Sequence, residues 1–372
     1  MSSRRVLIST GELSGDQHAA DVARALRALS PDLDIEAVGG AALAASGAHL
    51  VGSIDDLAAV GLAEAVRQLP EHVRRLRALE TAFRSGRYDL VIVVDYPGLH
   101  LRVAAAARRH GVPVVYYIAP QLWAWGAWRA RRLRRCVTRL AVILPFEEAF
   151  FRARGIPAEF VGHPLVGRPC GPARADACAR LGLDASHPVL GLFPGSRPAE
   201  IERHWRLFRD AAALAARTVP GLQTLVSGVS GASYPDPTAI VHVGDPSLVF
   251  GAADAAICKS GTTTLEAALS DTPHVLAYRV HPATFAVARR LVQVRHIGLV
   301  NLIAQRDVTP ERLQRAATPE RLAQDLIPLL DADSRLARAQ RAGFAEVRER
   351  LRNVDGEGAA DRVAAIALGL AA

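Results

Sequence analysis

A turn rich in hydroxyl groups, at residues 259–264, separates a short apolar run from a helical pattern. The run at 255–258 is typical of the end of a buried strand. Gly261 would let the backbone approach a ligand closely, and free N–H groups at a helix start attract phosphate. The turn therefore predicts a phosphate site, and a simple capping box between Thr263 and Glu266 is the alternative.

A second turn of this kind lies earlier in the same half of the chain. The apolar run at 190–193 leads into Pro194-Gly195-Ser196-Arg197, and a long helix is predicted to begin near Glu200. The guanidinium of Arg197 could hold two phosphate oxygens at once, which a lysine cannot do. Two such turns suggest that a diphosphate is held between them.

A single carboxylate stands out in the first half of the chain. The β-branched run at 90–94 predicts a strand covered on both faces, and it ends in Asp95. Ligands of open α/β sheets bind at the carboxyl ends of the strands, so Asp95 is a candidate general base, with a helix cap as its alternative role. Glu12 and Ser14 follow the first predicted strand and could face the same edge.

Strands and helices alternate through both halves, which predicts an α/β protein with two doubly wound, Rossmann-like domains facing a cleft. The glycine- and proline-rich segment at 162–172 predicts a linker between them. We therefore expect one domain at 1–168 and another at 169–349. The first glycine loop lacks the GxGxxG spacing, so NAD is not indicated.

The composition limits the possible classes of protein. At 372 residues the chain should form roughly two domains, and half of it is hydrophobic. No segment reaches the ~18 apolar residues of a membrane span, and the first apolar run ends too early for a signal peptide. The four cysteines form no CxxC pair, so we expect a reduced cytoplasmic protein without structural zinc.

The net charge of +8 favours an anionic partner. This argument is weakened because all but one of the 45 basic residues are arginine, which indicates a general preference for arginine in the composition. The arginine-rich segment at 129–139 could be a solvated face or a membrane-binding face. A nucleic-acid contact is least favoured, because aromatic residues suited to base stacking are not interleaved with it. An amphipathic stretch at 65–79 could pack on its own domain or lie on a bilayer.

Ten short motifs resemble, in the same order along nearly the whole chain, those of the lipid-A-disaccharide synthase family. They are GELSGD at 11–16, VGLAE at 60–64, VDYP at 94–97, PQLWAW at 120–125, LPFE at 144–147, GHP at 162–164, PGSR at 194–197 with EI at 200–201, SGTTTLE at 260–266, NLIA at 301–304 and PERLQ at 310–314. Each motif alone is weakly specific. Their shared order makes the resemblance specific.

The resemblance implies an enzyme of the GT-B type that inverts the anomeric centre and needs no metal or cofactor. Such an enzyme joins UDP-2,3-diacylglucosamine to 2,3-diacylglucosamine 1-phosphate, giving the β-1,6-linked lipid A disaccharide 1-phosphate and UDP. A homodimer is also implied, held peripherally at the cytoplasmic face of the inner membrane. A C-terminal helix at 350–372 would complete the first domain. We expect no nucleic-acid partner.

The resemblance also assigns roles to residues. Asp95 and Arg197 match the family's essential aspartate and arginine, Glu266 matches the glutamate that holds the ribose, and Asn301 and Gln314 would line the donor site. The predicted substrate-binding residues are Glu12, Ser14, Gly15, His163, Ser196, Lys259, Ser260, Gly261, Thr262, Thr263, Glu266, Asn301 and Gln314. These roles imply a mechanism in which Asp95 takes the proton of the acceptor's 6-hydroxyl. In this mechanism Arg197 and the 260–263 turn stabilise the charge on the leaving UDP.

The chain departs from the family pattern at four positions. Gly98 and His100 stand where the family has Asp and Asn, Val300 replaces a proline, and Lys259, the only lysine, replaces a small residue. Lys259 could place positive charge near the leaving diphosphate or could be a chance change. Three other functions stay open: glycosyl transfer to another membrane lipid, 2-epimerisation of UDP-N-acetylglucosamine, and UDP-sugar binding without catalysis.

Overall fold

A computed structural model describes residues 4–54, 69–168, 171–236, 238–281, 285, 294–352 and 355–371. The motif at 60–64 and the first part of the amphipathic stretch at 65–79 lie outside these residues. The chain divides into two compact units, which are described separately below. Unit 1 comprises residues 1–164 and 351–372, and unit 2 comprises residues 165–350.

Unit 1 contains a parallel sheet of seven strands in the order β3-β2-β1-β4-β5-β6-β7. The strands are β1 Arg5–Ser9, β2 Asp34–Gly39, β3 His49–Ser53, β4 Leu90–Val94, β5 Val114–Tyr117, β6 Arg139–Val142 and β7 Ala158–Phe160. All five residues of β4 are buried, as its unbroken apolar run predicts for a strand with helices on both faces.

Helices cover both faces of this sheet. Those described are Leu13–Leu29, Ala41–Ala45, Leu69–Arg84, Pro97–Arg109, Ala130–Cys136, Pro145–Arg152 and Ala359–Ala371. Alternate residues of β4 face opposite sides, so Val91 and Val93 belong to one core and Ile92 belongs to the other. The C-terminal helix Ala359–Ala371 buries Val363 in the second core, and the two ends of the chain therefore build one unit.

Unit 2 contains a parallel sheet of six strands in the order β10-β9-β8-β11-β12-β13. The strands are β8 Val189–Phe193, β9 Gln223–Gly228, β10 Ala239–Val243, β11 Ala255–Lys259, β12 His274–Tyr278 and β13 Glu311–Leu313. The described helices are Arg174–Leu181, Pro198–Ala216, Pro246–Ala252, Thr262–Leu269, Leu299–Ala304, Pro319–Leu326 and Arg335–Leu351. The two doubly wound sheets confirm the predicted fold class.

Each sheet has one point at which the strand order reverses, and this point positions the predicted chemistry. In unit 1 it lies between β1 and β4, where Ser9 pairs with Val93. In unit 2 it lies between β8 and β11, where Phe193 pairs with Cys258. Ligands of doubly wound sheets bind at the carboxyl ends of these strands. The segments that leave the strands there are therefore the first places to look for a site.

Candidate active site

Asp95 leaves β4 at the switch point of unit 1 in an uncommon backbone conformation. Asp95 and Tyr96 both have left-handed φ angles, 49° and 47°, which cost about 1–3 kcal/mol each. The carbonyl of Asp95 accepts hydrogen bonds from the Tyr116 hydroxyl at 2.8 Å and from His100 Nδ1 at 2.7 Å. These contacts hold the strained turn and thereby fix the direction of the Asp95 side chain.

The surroundings of the Asp95 carboxylate raise its pKa to about 6. Burial is the main cause, the negative charge of Glu12 adds to it, and the hydrogen bond from the Tyr96 backbone opposes both. A base with a pKa near the working pH is ionised and still accepts a proton readily. Asp95 is therefore suited to general-base chemistry near neutral pH.

His100 supports Asp95 from inside the fold. Its ring is fully buried, and Nε2 lies 3.1 Å from the Ser9 hydroxyl. Because Nδ1 must donate to the Asp95 carbonyl, Nε2 is the acceptor of the Ser9 proton. Burial lowers the pKa of His100 to about 4, so the ring is neutral at physiological pH. His100 is thus a positioning residue in the described structure.

Two glycines let the loop after β1 approach the Asp95 turn. A Cβ on Gly11 would lie 2.2 Å from the Tyr96 ring, and one on Gly15 would lie 2.5 Å from the Thr10 hydroxyl. A larger residue at Gly11 would push the two segments apart, and one at Gly15 would clash with Thr10 inside the loop itself. Glu12 is half-buried beside this contact and Ser14 is exposed, so both predicted residues lie at the same edge as Asp95.

Gly98 differs from its neighbours in having room around it. It is exposed, and a Cβ built there would meet nothing within 4 Å. The aspartate expected by resemblance would fit sterically at this position. Its replacement by glycine therefore removes a carboxylate from the edge without a packing reason.

The turn after β8 brings Arg197 to the start of a long helix. Arg197 is exposed and is the N-cap of helix Pro198–Ala216, where its carbonyl accepts the N–H groups of Glu200 and Ile201. Gly195 has a φ of 142° and lies against Glu200, whose carboxylate accepts a hydrogen bond from Ser196 N at 3.2 Å. The turn thus combines an exposed guanidinium with the positive end of a helix.

Lys259 ties this turn to the neighbouring one. Its Nζ lies 2.8 Å from Glu200 Oε1, and the side chains are only 18% and 21% exposed. Burial alone would raise the pKa of Glu200, but the hydrogen bond and charge of Lys259 outweigh burial and lower it. The ion pair brings together the ends of β8 and β11. The two predicted phosphate turns are therefore adjacent within unit 2.

The 260–264 turn is not a capping box. Helix Thr262–Leu269 begins after Gly261, which is its N-cap, and no side chain caps it. Thr264 instead donates its hydroxyl proton to the carbonyl of Gly261 at 2.9 Å. The alternative interpretation of Thr263 and Glu266 as a capping pair is therefore wrong. Gly261 and Thr262 are exposed, and the first N–H groups of the helix lie beside them.

These observations place a candidate base and a pair of anion-binding turns at the switch points of two doubly wound sheets. The model of the lipid-A-disaccharide synthetase family matches residues 6–366. The chain belongs to this family. The lipid-A-disaccharide synthase of Geobacter metallireducens is 38% identical, over 98% of this chain and 97% of its own. The resemblance stated from the ten motifs is thereby confirmed.

Solved structures share the fold of this family member at low sequence identity. The glycosyltransferase of kitacinnamycin aligns over the full length of both chains with a TM-score of 0.63 and 17% identity. The UDP-N-acetylglucosamine 2-epimerase of Listeria monocytogenes, itself described as putative, aligns over 98% of this chain and 95% of its own, with a TM-score of 0.65 and 11% identity. Because both activities occur on this fold, the fold alone does not separate them.

Three further predicted residues of the synthase family lie in unit 2. Glu266 is half-buried, and burial raises its pKa while the charge of Arg168 opposes the rise. Gln314 follows β13 with a left-handed φ of 51°, and among the described residues its buried Nε2 has no hydrogen-bond partner. A buried donor without a partner costs about 1–3 kcal/mol, so Gln314 is a candidate to bind a ligand oxygen.

Asn301, in contrast, is bonded within the fold. It is fully buried, and its Oδ1 accepts from Val308 N at 2.8 Å and from Thr309 N at 2.9 Å. Its Nδ2 donates to the Thr309 carbonyl and to Glu311 Oε1, each at 2.9 Å. These bonds shape the loop that leads into β13. Asn301 therefore acts on the surroundings of Gln314 through the backbone.

His163 lies in unit 1, where it is buried. Its backbone N–H donates to the Leu351 carbonyl at 3.0 Å. In the described part of the chain, no cluster of three or more His, Cys, Asp or Glu side chains could hold a metal ion. Nor does any described helix have the length and apolar character needed to cross a bilayer.

Two contributors to the site were not predicted as site residues. Tyr116 lies inside an apolar strand pattern, and nothing in the sequence distinguishes it from a core residue. Glu200 lies four residues after Ser196 in the first turn of a predicted helix. Glu200 is also the third residue after the N-cap Arg197, a position from which a glutamate commonly reaches back to N–H groups at a helix start, and this signal could have identified it.

Proposed function

We propose that this protein catalyses transfer of 2,3-diacylglucosamine from UDP to the 6-hydroxyl of 2,3-diacylglucosamine 1-phosphate. The products are lipid A disaccharide 1-phosphate and UDP. The observation that carries the proposal is membership of the synthase family over residues 6–366. The position of Asp95 at one switch point and of Arg197 at the other supports it.

Asp95 would act as the general base. The acceptor's 6-oxygen attacks the anomeric carbon and forms the new C–O bond, while its proton passes to the Asp95 carboxylate. The bond between the anomeric carbon and the UDP oxygen breaks on the opposite side, so the configuration inverts. The raised pKa of Asp95, about 6, supports this role, because a carboxylate of ordinary pKa would hold the proton less well.

Unit 2 would hold the donor. Arg197 and the turn at 260–263 would stabilise the charge that develops on the leaving diphosphate, an effect worth about 3–4 kcal/mol per well-placed donor. Lys259 would add a positive charge between these turns and Ser196 a further donor. Glu266 would hold the ribose and Gln314 a carbonyl or phosphate oxygen of the nucleotide. Asn301 would keep the Gln314 loop in place.

Family membership implies a sugar-nucleotide donor and a lipid acceptor. Beyond this, we propose a homodimer held peripherally at the cytoplasmic face of the inner membrane, where a lipid acceptor is available. The net charge of +8 is compatible with an anionic membrane surface.

Mass spectrometry of the products tests the proposed reaction. The purified protein should convert UDP-2,3-diacylglucosamine and 2,3-diacylglucosamine 1-phosphate to the disaccharide and an equal amount of UDP. An epimerised sugar formed from UDP-N-acetylglucosamine without acceptor would instead favour an isomerase. Tight UDP binding without turnover would favour a silent binding protein. A disaccharide formed only with another membrane lipid would show that the loss of the carboxylate at Gly98 has changed the acceptor.

A further inference from the structure

Two tryptophans of unit 1 are exposed next to a row of arginines. Trp125 is 50% exposed and Trp128 is 78% exposed. Four exposed arginines follow them, at 131, 132, 134 and 135. We call these six residues, together with Arg129, the tryptophan–arginine surface. Large aromatic side chains usually lie inside a protein or at an interface, so a pair left in solvent calls for a partner.

The local fold presents this surface in a fixed form. Gly126 has a φ of 78° and starts the 3-10 turn Ala127–Arg129. The guanidinium carbon of Arg129 lies 4.0 Å from the centre of the Trp125 ring and 5.9 Å from that of Trp128. Such cation–π contacts hold the two rings and the charge together as one group.

The adjoining elements anchor the surface to the unit 1 core. Helix Ala130–Cys136 buries Leu133 and Cys136, which leaves its arginines on the outer face. Trp123 is turned inward, where its Nε1 donates to Glu147 Oε1 at 2.8 Å and its ring packs on Phe146 at 4.9 Å. The exposure of Trp125 and Trp128 is therefore a property of a well-anchored loop.

The sequence around the tryptophan–arginine surface carries basic residues and lacks acidic ones. The sequence contains no Asp or Glu from position 96 to position 146. The two acids that follow are engaged, since Glu147 bonds to Trp123 and Glu148 pairs with Arg152 at 2.7 Å. Among the described residues none of the helix's four arginines forms an ion pair, so they present positive charge beside two apolar rings.

We propose that the tryptophan–arginine surface docks the protein on an anionic lipid bilayer. Tryptophan prefers the headgroup level of a membrane, and arginine near an anionic leaflet strengthens binding about fivefold per residue. The tryptophans follow β5, the neighbour of β4, at the same carboxyl edge of the sheet as Asp95, and the helix that carries the arginines leads from there towards the start of β6. Docking would bring that edge to the lipid acceptor. The membrane as partner rests on the proposed function, whereas the choice of this surface rests on its exposed rings and its charge.

Flotation of the full chain with lipid vesicles tests the proposal. One vesicle preparation is phosphatidylcholine alone, and the other also contains phosphatidylglycerol. One variant combines Trp125→Ser with Trp128→Ser, and a second combines Arg131→Glu with Arg135→Glu. The matched controls are Leu336→Ser, at an exposed apolar position of unit 2, and Arg180→Glu with Arg217→Glu, at exposed basic positions of unit 2. Thermal unfolding checks that every variant is folded.

Wild type and both controls should float with the phosphatidylglycerol vesicles, more weakly with phosphatidylcholine alone and less at high salt. Each surface variant should lose about tenfold or more in binding, and the blue shift of tryptophan fluorescence on vesicle addition should disappear in the tryptophan variant. Wild-type flotation without any turnover would reject the proposed reaction and leave the surface assigned. The proposal fails if folded surface variants float like wild type, if wild type does not float, or if these substitutions abolish self-association or RNA binding instead.

Discussion

The two switch points use one topology in two different ways. At the end of β4, Asp95 is half-buried on a strained turn that the side chains of Tyr116 and His100 hold from inside. At the ends of β8 and β11, exposed glycine turns present hydroxyls, N–H groups and Arg197. The first arrangement fixes one group and tunes its pKa. The second offers many donors to an anion.

The difference has consequences for how each site should respond to substitution. The Asp95 turn depends on contacts that lie below it, so residues that never touch substrate should matter there. In the turns of unit 2 several donors would bind the same anion. Loss of one neutral donor should therefore change the affinity for the anion little. Among the described residues of these turns, Arg197 and Lys259 carry positive charge. Lys259 is already paired with Glu200, so the loss of Arg197 should have the larger effect.

The largest effect should come from Asp95→Asn. The amide is nearly isosteric and cannot accept the proton, so kcat should fall by about 100- to 10,000-fold. Steady-state kinetics with both substrates measures this, and thermal unfolding serves as the control for folding. A kcat within tenfold of wild type would exclude Asp95 as the base.

Arg197→Ala should lower kcat/KM by about 100- to 1,000-fold, because one charged donor to the leaving diphosphate is lost. Arg197→Lys is the matched control, and it should recover only part of the loss because lysine lacks the forked geometry. The values of kcat/KM for the donor, measured for the three proteins at saturating acceptor, test this prediction. Equal rates for wild type and Arg197→Ala would remove the residue from the mechanism.

His100→Leu should lower kcat by about 10- to 100-fold, since the Asp95 turn loses a hydrogen bond and can shift. His100→Asn retains a short donor and should recover much of the rate. UDP affinity should stay unchanged in both, which distinguishes a local effect from general unfolding. If His100→Leu keeps full kcat while folded, the support assigned to His100 is not needed.

The dependence of kcat/KM on pH should show the protonation of Asp95 directly. With a pKa of about 6, kcat/KM should fall tenfold per unit below that pH as the base becomes protonated. Glu12→Gln removes a negative charge that raises this pKa, so the inflection should move to lower pH. An inflection that stays in place in Glu12→Gln would show that Glu12 does not act on the base.

The smallest effect should come from Lys259→Met. The Lys259–Glu200 pair is partly exposed, and its loss should raise the donor KM by about two- to fivefold with little change in kcat. Lys259→Arg preserves the charge and should stay close to wild type. Kinetics at varied donor concentration distinguish the two substitutions. Equal KM values for all three proteins would show that Lys259 has no role in donor binding and is a chance change.

Local patterns predicted the elements that carry the site, and long-range contacts decided how it is built. The apolar run of β4 and the turns at 194–197 and 260–264 could be located from spacing alone. The capping interpretation failed because the backbone placed Gly261 at the N-cap, which side-chain pattern does not determine. The contact of Tyr116 with Asp95 spans 21 positions and has no local signal.

Isothermal titration of UDP into wild type, Asp95→Asn and Arg197→Ala tests the division of labour between the two switch points most directly. We predict that Asp95→Asn binds UDP within about twofold of wild type, whereas Arg197→Ala binds it at least about tenfold more weakly. Equal loss of affinity in both variants, or wild-type affinity in Arg197→Ala, would contradict the account.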